Sequence, residues 1–177
     1  MKRPAWAQKT PAMQEYYDHD WGFPVHDDRR LFQMLSLEIF QAGLSWKTIW
    51  KRHLAFEKAF DNFEIAVVAN YDLDDINRLT QDQSIIRNRQ KIEATVKNAQ
   101  VIRRLQQAQI SFDDYIWSFV DHTAQRLVIE ADEPMPAQTP DSQKIARQMK
   151  KDGFKFVGPT IIYSFMTAVG LVNARLE

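Results

Sequence analysis

The chain has 177 residues, 45% hydrophobic and 12% aromatic, so one domain spanning residues 1–177 with a sizeable core is expected and wholesale disorder is excluded. Cysteine is absent, which excludes a disulfide framework, a zinc site with cysteine ligands, an iron–sulfur centre and a cysteine nucleophile. The 23 basic residues balance 23 acidic ones, and this zero net charge argues mildly against nucleic acid as a partner without saying where the charges lie.

The sequence offers no candidate for an export signal or a membrane anchor. The first residues, Met1 to Trp6, lack the apolar stretch of a signal peptide. No segment reaches the uncharged apolar length of a membrane span. We therefore expect a cytoplasmic protein that has no membrane partner.

Hydrophobic residues recur at helical spacing through the first two thirds of the chain. Asp27 and Asp28 cap a helix that Gly43 ends, and Ser45 begins a second helix that continues through Leu54. The same spacing and further capping residues predict helices over residues 64–69, 73–80, 86–107 and 112–120.

The last third of the chain begins with a polar loop over residues 121–138. Thr139 and Pro140 then begin a helix that Gly153 ends, and a final helix runs from Pro159 to Gly170. Residues 127–129 are the only fair strand candidate, and three residues do not make a sheet. The predicted fold class is therefore all-α.

The neutral total conceals opposed patches of charge. Residues 85–105 hold six basic residues against one acid, and residues 141–155 hold five against two. Residues 113–133 hold six acids and one arginine. Either basic stretch alone is typical of a solvated helix face. Two such stretches, one of which runs into a Gly-Pro helix start, favour an anion-binding surface.

A tight turn precedes the last helix. Glycine at position 158 lets the backbone approach a ligand, and the first amides of the following helix have no partner within the helix. Such amides suit a phosphate, and Lys155 and Thr160 are placed to assist. An ordinary helical hairpin whose glycine caps the preceding helix accounts for the same spacing equally well.

One acid, Glu38, stands among apolar residues in the first long helix. On the pattern alone an exposed edge is the expected position, and burial for a functional purpose is the alternative. Aromatic side chains with polar groups are concentrated in the first quarter of the chain and include Trp6, Tyr16, Trp21 and Trp46. Such residues usually form a core, but a pocket that stacks a planar base needs the same set beside one carboxylate.

Five blocks of sequence, in order along the chain, form a specific pattern. They are YYDHDWG at 16–22, LE with QAGLSW between 37 and 46, IIRNR at 85–89, WSFV at 117–120 and GFKFVGPT at 153–160. From about Trp6 to Asn173 the chain resembles the DNA-3-methyladenine glycosylase I family. The resemblance implies a helix-hairpin-helix glycosylase fold, with a cleft between two helical lobes and a DNA-binding hairpin at about residues 153–160.

The resemblance also implies an activity: removal of 3-methyladenine from alkylated double-stranded DNA, without a lyase step. In this reading Glu38 is the catalytic residue, whose carboxyl group contacts the base edge, and Tyr16 is a hydrogen-bonding residue of the pocket. Trp46 forms a stacking wall, and further aromatic lining comes from Trp6 and Trp21.

The positions that contact DNA follow from the same resemblance. Leu44 lies in the loop that faces the gap left by the extruded base. Lys155, Gly158 and Thr160 belong to the phosphate-binding hairpin. A monomer suits a protein that must wrap a bent duplex.

The chemistry of the lesion fits this inventory. Methylation at N3 makes the adenine cationic, so its glycosidic bond is already weak and the leaving group needs no protonation. Aromatic faces favour a cation by about 0.5–2 kcal/mol. A carboxylate at Glu38 accepts a hydrogen bond from the exocyclic amine and stabilises the positive charge. We therefore interpret Glu38 as a recognition and electrostatic group rather than a base that activates water.

The chain departs from the family in two places. Many members join their two ends through a Cys/His zinc site, whereas the matching positions here are Pro4, Tyr17 and Arg175. We therefore predict that the chain has no metal site and no cofactor, and that packing of Trp6 and Tyr17 holds the ends. Near the pocket the departures are Ile39, Phe40 and Met13.

These departures leave two alternative functions open. One is a lesion- or DNA-binding homologue with reduced or altered excision activity. The other is a hydrolase of a different modified nucleoside. Joint retention of Glu38, Tyr16 and Trp46 favours an enzyme, because a pure binding protein has little reason to keep all three.

Overall fold

The computed structural model describes residues 2–127 and 135–175. Within those residues the chain forms ten α-helices, three short 3-10 turns and one pair of two-residue strands. The helices are α1 (Pro11–His19), α2 (Asp28–Gln41), α3 (Trp46–Trp50), α4 (His53–Ala59), α5 (Ile65–Val68), α6 (Leu73–Gln81), α7 (Arg89–Gln107), α8 (Phe112–Trp117), α9 (Pro140–Lys151) and α10 (Pro159–Ala168). The strands are β1 (Gln125–Arg126) and β2 (Val172–Asn173), and the 3-10 turns are Ala7–Lys9, Asp61–Phe63 and Ser118–Val120.

Side-chain caps set most of the predicted helix starts. The Arg30 N–H donates to the carboxylate of Asp27, 2.7 Å away, at the start of α2. A capping box joins Asp72 and Asp75 at the start of α6, and Thr139 caps α9 with proline in its first turn. Helical predictions in these regions are confirmed.

Three predicted helices have clearly different bounds. The helix expected over residues 112–120 ends at Trp117, where the 3-10 turn Ser118–Val120 follows. The helix expected from Ser45 through Leu54 ends at Trp50, because the backbone of Arg52 leaves the helical region and α4 begins anew at His53. This break brings Phe56 of α4 into the core. The helix expected from residue 86 begins at Arg89, since the Asn88 side chain caps it.

Helix α2 lies at the centre of the molecule. All ten residues from 31 to 40 are buried, so the helix is enclosed on every side. Helices α3, α7, α8 and α10 contact α2 directly, and α5 and α6 pack in turn on α7. The predicted all-α class is confirmed, and α2 is positioned where its side chains can reach a cleft.

The strand candidate at 127–129 was displaced by two residues. Gln125 and Arg126 pair in parallel with Val172 and Asn173, and the Leu127 N–H adds a bond to the Asn173 carbonyl at 3.0 Å. Positions 128 and 129 lie outside the described residues. The pairing ties the long loop to the C-terminal end of α10, and two-residue strands leave the all-α class unchanged.

Among the described residues no helix combines the length and the apolar character needed to cross a bilayer.

Candidate active site

A cavity of about 460 Å³ opens beside the central helix. Its walls come from the N-terminal segment with α1, from α2 and the start of α3, and from α10, with residues 135–137 along one margin. The volume lies in the range of a small-molecule site. All five residues predicted for the catalytic and base-binding roles line it, namely Trp6, Tyr16, Trp21, Glu38 and Trp46.

Glu38 is the buried acid of this cavity. It is 5% exposed, so the expectation of an exposed edge was wrong. The physical reason is that other helices cover α2, so Glu38 meets solvent only through the cavity that it lines. Burial raises the pKa of Glu38 from 4.5 to about 8. A carboxyl held in this way gains much from a cationic partner.

Aromatic rings surround the space next to Glu38. Tyr16 lies 5.4 Å from Trp46 and 4.1 Å from Trp50, measured between ring centroids. Trp6 lies 5.5 Å from Trp21 in an edge-to-face arrangement. Trp50 does not line the cavity itself but supports Tyr16 from behind. The arrangement provides ring faces on more than one side of a planar ligand.

Three buried polar atoms near the cavity lack a hydrogen-bond partner among the described residues. They are the hydroxyls of Tyr16 and Tyr163 and the indole N–H of Trp46. Burial raises the pKa of both tyrosines, and the charge of Glu38 adds to the effect at Tyr16. Since an unpaired buried polar group costs about 1–3 kcal/mol, three of them around one cavity point to a polar ligand that satisfies them.

Sequence reasoning did not predict that α10 forms a wall of the cavity, and it assigned only Thr160 of that wall a role, in the DNA-binding hairpin. The lining residues of α10 are Thr160, Tyr163, Ser164 and Thr167. These four hydroxyl-bearing positions follow helical spacing in an otherwise apolar helix, so the signal was present in the sequence. Two exposed lysines, Lys9 and Lys47, also line the cavity and were not singled out.

The pocket departures fall into two classes. Met13 lines the cavity, so it does shape the space available to a ligand. Ile39 and Phe40 are fully buried and do not line it. Phe40 packs instead against Phe56, with ring centroids 4.7 Å apart. Only Met13 therefore bears directly on ligand shape.

Leu44 projects from the turn that follows α2. It is 38% exposed, and Gly43 before it has a φ of 81°, a conformation that glycine adopts without strain. The Gln41 side-chain amide donates to the Leu44 carbonyl at 2.8 Å. Because Gln41 and Ser45 line the cavity, this apolar side chain stands at its rim.

The hairpin between α9 and α10 differs from the ordinary one that was considered. Gly153, with a φ of 102°, ends α9, whereas Gly158 is the N-cap of α10 and has an extended backbone. A Cβ placed on Gly158 meets nothing within 4 Å. The fold therefore has no steric need for glycine at 158, and the C-cap explanation of that residue was wrong.

The predicted basic surface needs one correction. Lys155 and Thr160 are exposed at the hairpin, as are the cations of α9. Lys91, however, is only 7% exposed, because its ammonium donates to the carbonyls of Phe40 and Ala42. It acts as a buried cap of α2 and contributes no charge to a surface. Three of the predicted acids, Glu130, Asp132 and Glu133, lie outside the described residues.

The N-terminal and C-terminal segments of the described chain meet around Arg175. Its guanidinium carbon lies 4.5 Å from the centroid of the Tyr17 ring and 4.2 Å from that of Phe23. The same group donates to the backbone carbonyls of Tyr17 and Trp21. The packing predicted for Trp6 is also present, with its ring 5.6 Å from that of Tyr17.

This arrangement does not fit the family's zinc ion. Proline, tyrosine and arginine stand at the matching positions 4, 17 and 175. A guanidinium carries a permanent positive charge and offers no lone pair to a metal. Across residues 2–127 and 135–175, no group of three His, Cys, Asp or Glu side chains is placed to hold a metal ion.

Comparison with known proteins agrees with this geometry. The chain matches the methyladenine glycosylase family over residues 6–177. It is 42% identical to DNA-3-methyladenine glycosylase 1 of Escherichia coli over 173 residues, which is 98% of this chain and 92% of that protein. It is 36% identical to DNA-3-methyladenine glycosylase of Haemophilus influenzae over 172 residues, which is 97% of this chain and 93% of that one.

Structural similarity is equally extensive. A solved variant of 3-methyladenine DNA glycosylase I in complex with 3-methyladenine is similar at a TM-score of 0.94 and 37% identity. The similarity covers 100% of this chain and 95% of that one. The chain therefore belongs to the methyladenine glycosylase family.

Proposed function

We propose that this protein is a monofunctional DNA-3-methyladenine glycosylase, which hydrolyses the N-glycosidic bond of 3-methyladenine in alkylated double-stranded DNA. One observation carries the proposal: a buried carboxyl, Glu38, lies in an aromatic cavity with three polar groups that lack partners among the described residues. Such a cavity suits a planar, polar and cationic ligand.

The lesion reaches the cavity by rotating out of the duplex. Extrusion costs a few kcal/mol, and less for a damaged base, which contributes to selectivity. Leu44, at the cavity rim, fills the gap that the base leaves behind. Within the cavity Trp46 stacks on the base, Tyr16 supplies a hydrogen bond, and Trp6 and Trp21 complete the lining.

Glu38 acts on the charge of the base. In its ionised form the carboxylate accepts a hydrogen bond from the exocyclic amine and stabilises the positive charge of the methylated ring. The leaving base needs no proton, because cleavage of the glycosidic bond neutralises it. Glu38 is thus the catalytic residue by electrostatics and recognition. Water adds to the sugar carbon as the bond to the base breaks, and it releases its proton to bulk solvent without a dedicated base.

The hairpin holds the DNA backbone. Open space at the Cβ position of Gly158 allows a phosphate to approach the backbone closely. The amides of the first turn of α10 and the positive end of its dipole favour that anion, and Lys155 and Thr160 add polar contacts. Exposed lysines and arginines of α9 extend the attraction along the duplex.

We further propose that the protein works without zinc or any other cofactor, as a cytoplasmic monomer. The contacts of Arg175 support the absence of zinc, because they join the two ends of the described chain where a metal would otherwise do so. Elemental analysis of purified protein tests it. Metal below one tenth of an equivalent is expected, and one equivalent of zinc would contradict it.

The deciding experiment measures base release from methylated duplex DNA. Wild type is expected to release free 3-methyladenine, and Glu38→Ala to release none above background. Glu93→Ala, which removes an exposed carboxylate from α7, is the matched control and should behave as wild type. Tight binding of lesion DNA by wild type without release would instead support the lesion-binding alternative.

A further inference from the structure

Two buried polar side chains of helix α7 lie on nearly the same face, and each forms hydrogen bonds with the backbone of a different loop. Lys91 and Asn98 are seven positions apart, which places them about 10 Å from one another along the helix axis. Lys91 is 7% exposed and Asn98 is fully buried. Neither lines the cavity, so the proposed base-binding role leaves both unexplained.

The Asn98 side chain forms hydrogen bonds with both backbone groups of one hairpin residue, Lys155. The Lys155 N–H donates to the Asn98 side-chain oxygen at 2.8 Å, and the Asn98 amide nitrogen donates to the Lys155 carbonyl at 3.1 Å. The next residue, Phe156, has a φ of 58°, which a non-glycine side chain adopts only when its surroundings enforce it. Asn98 therefore fixes the backbone just before the turn to Gly158.

Lys91 holds the other loop. Its ammonium donates to the Phe40 carbonyl at 3.1 Å and to the Ala42 carbonyl at 2.6 Å, at the negative end of the α2 dipole. The chain turns at Gly43 immediately after this contact, and Leu44 follows. Lys91 thus sets the point from which Leu44 projects.

We propose that Lys91 and Asn98 are positioning residues, which fix from one rigid helix the separation between Leu44 and the phosphate-binding hairpin at Gly158. The inference rests on the proposed function, because both loops are assigned there to DNA contacts. A phosphate bound at the hairpin then places the duplex so that Leu44 enters it at the correct nucleotide. Neither positioning residue needs to touch DNA.

The test separates the two loops by their dependence on salt. Asn98→Ala is expected to weaken binding of undamaged duplex DNA about tenfold. The binding constant of this variant should also depend less on salt: the slope of log K against log salt concentration should fall by the amount that corresponds to about one lost phosphate contact. Lys91→Met is expected to leave that slope unchanged and to weaken binding of duplex containing an abasic site about tenfold, because Leu44 is displaced. Free 3-methyladenine, followed by tryptophan fluorescence, should bind both variants as it binds wild type.

Thr95→Val is the matched control. Thr95 is fully buried on the same helix, and among the described residues its hydroxyl bonds only within that helix, to the Lys91 carbonyl at 2.9 Å. Equal losses of DNA binding in Thr95→Val and Asn98→Ala at equal thermal stability would show a merely structural role and overturn the proposal. An unchanged salt slope in Asn98→Ala would do the same.

A replacement variant and a comparison with base release complete the test. If Asn98→Ala does not fold, Asn98→Asp replaces it. This variant keeps the acceptor for the Lys155 N–H but loses the donor to the Lys155 carbonyl. It should reduce the salt slope of DNA binding by a smaller amount. Wild type that binds duplex DNA but releases no base would contradict the proposed function. Wild type that releases base while both variants bind DNA normally would contradict this inference alone.

Discussion

The base cavity and the hairpin surface differ in how they offer charge to a ligand. The cavity buries its one carboxyl, Glu38, beside aromatic rings and polar groups without partners in the described part of the chain. The hairpin exposes its cation at Lys155 and leaves open space at Gly158. Buried charges are screened little by salt and titrate at shifted pH, whereas exposed ones respond to salt. Base binding and excision in the cavity should therefore depend on pH, and duplex binding at the hairpin should depend on ionic strength.

Replacing the buried carboxyl should have the largest effect. Glu38→Gln keeps the size of the side chain but removes its charge, so single-turnover release of 3-methyladenine at pH 8 should fall about 100-fold or more. Affinity for undamaged duplex should stay within about twofold, because the hairpin is untouched. Full excision by this variant would refute the electrostatic role of Glu38.

The same variant should unfold at a higher temperature than wild type at pH 9. The pKa of Glu38 is raised to about 8 in the folded protein, so the folded state binds this proton more tightly than the unfolded state does. Ionisation therefore lowers the free energy of unfolding as pH rises from about 4.5 to about 8, by as much as about 5 kcal/mol. Calorimetry should find the two proteins similar in stability near pH 4.5 and different at pH 9.

The pH dependence of kcat/KM should be the next largest effect. Since the free protein must ionise Glu38, with a pKa of about 8, to bind the cationic base, kcat/KM should rise about tenfold per pH unit towards pH 8 and then level off. Base release between pH 6 and pH 9 measures it. Glu38→Gln should give a flat profile over this range, and a flat profile in wild type would contradict the assignment.

A methyl group at the hairpin should have a smaller effect and a different signature. Gly158→Ala fits the extended backbone and meets no neighbour, so its melting temperature should match that of wild type. Its affinity for duplex DNA should fall about tenfold, with a salt slope lower by about one phosphate. Gly170→Ala is the contrasting control, because its Cβ would lie 2.5 Å from the Phe23 backbone and should destabilise the fold instead.

Removing one hydroxyl from the cavity should have the smallest effect. Tyr163→Phe deletes a buried group that lacks a partner in the described residues, so stability should be unchanged or slightly higher. Affinity for free 3-methyladenine should fall a few-fold by fluorescence titration. Tyr71→Phe, whose hydroxyl donates to Asp61, is the control and should lose stability without losing affinity. Unchanged affinity in Tyr163→Phe would exclude a contact with the base.

Local rules predicted the helices and their caps well. Asp27, Asp72 and Thr139 each cap a helix in the manner that residue type and spacing indicated. Aromatic composition and the resemblance to a family brought together the residues that now line one cavity. The sequence could also have revealed the hydroxyl stripe of α10, which has a plain helical period.

Long-range packing accounts for what could not be predicted. Glu38 is buried because other helices enclose α2, and no local pattern carries that information. Lys91 looks like surface charge in a basic stretch, yet it bonds to carbonyls about fifty positions away along the chain. Strand β1 exists only because β2 lies beside it after the whole chain has folded.

The burial of Glu38 has a consequence for the proton balance of a catalytic cycle. Below pH 8 the free protein holds a proton on this group and loses it when the cationic lesion enters. Cleavage returns the bonding electron pair to the base, which becomes neutral, and the carboxylate no longer faces a cation. It then recovers a proton, and the charge that held the lesion no longer holds the product.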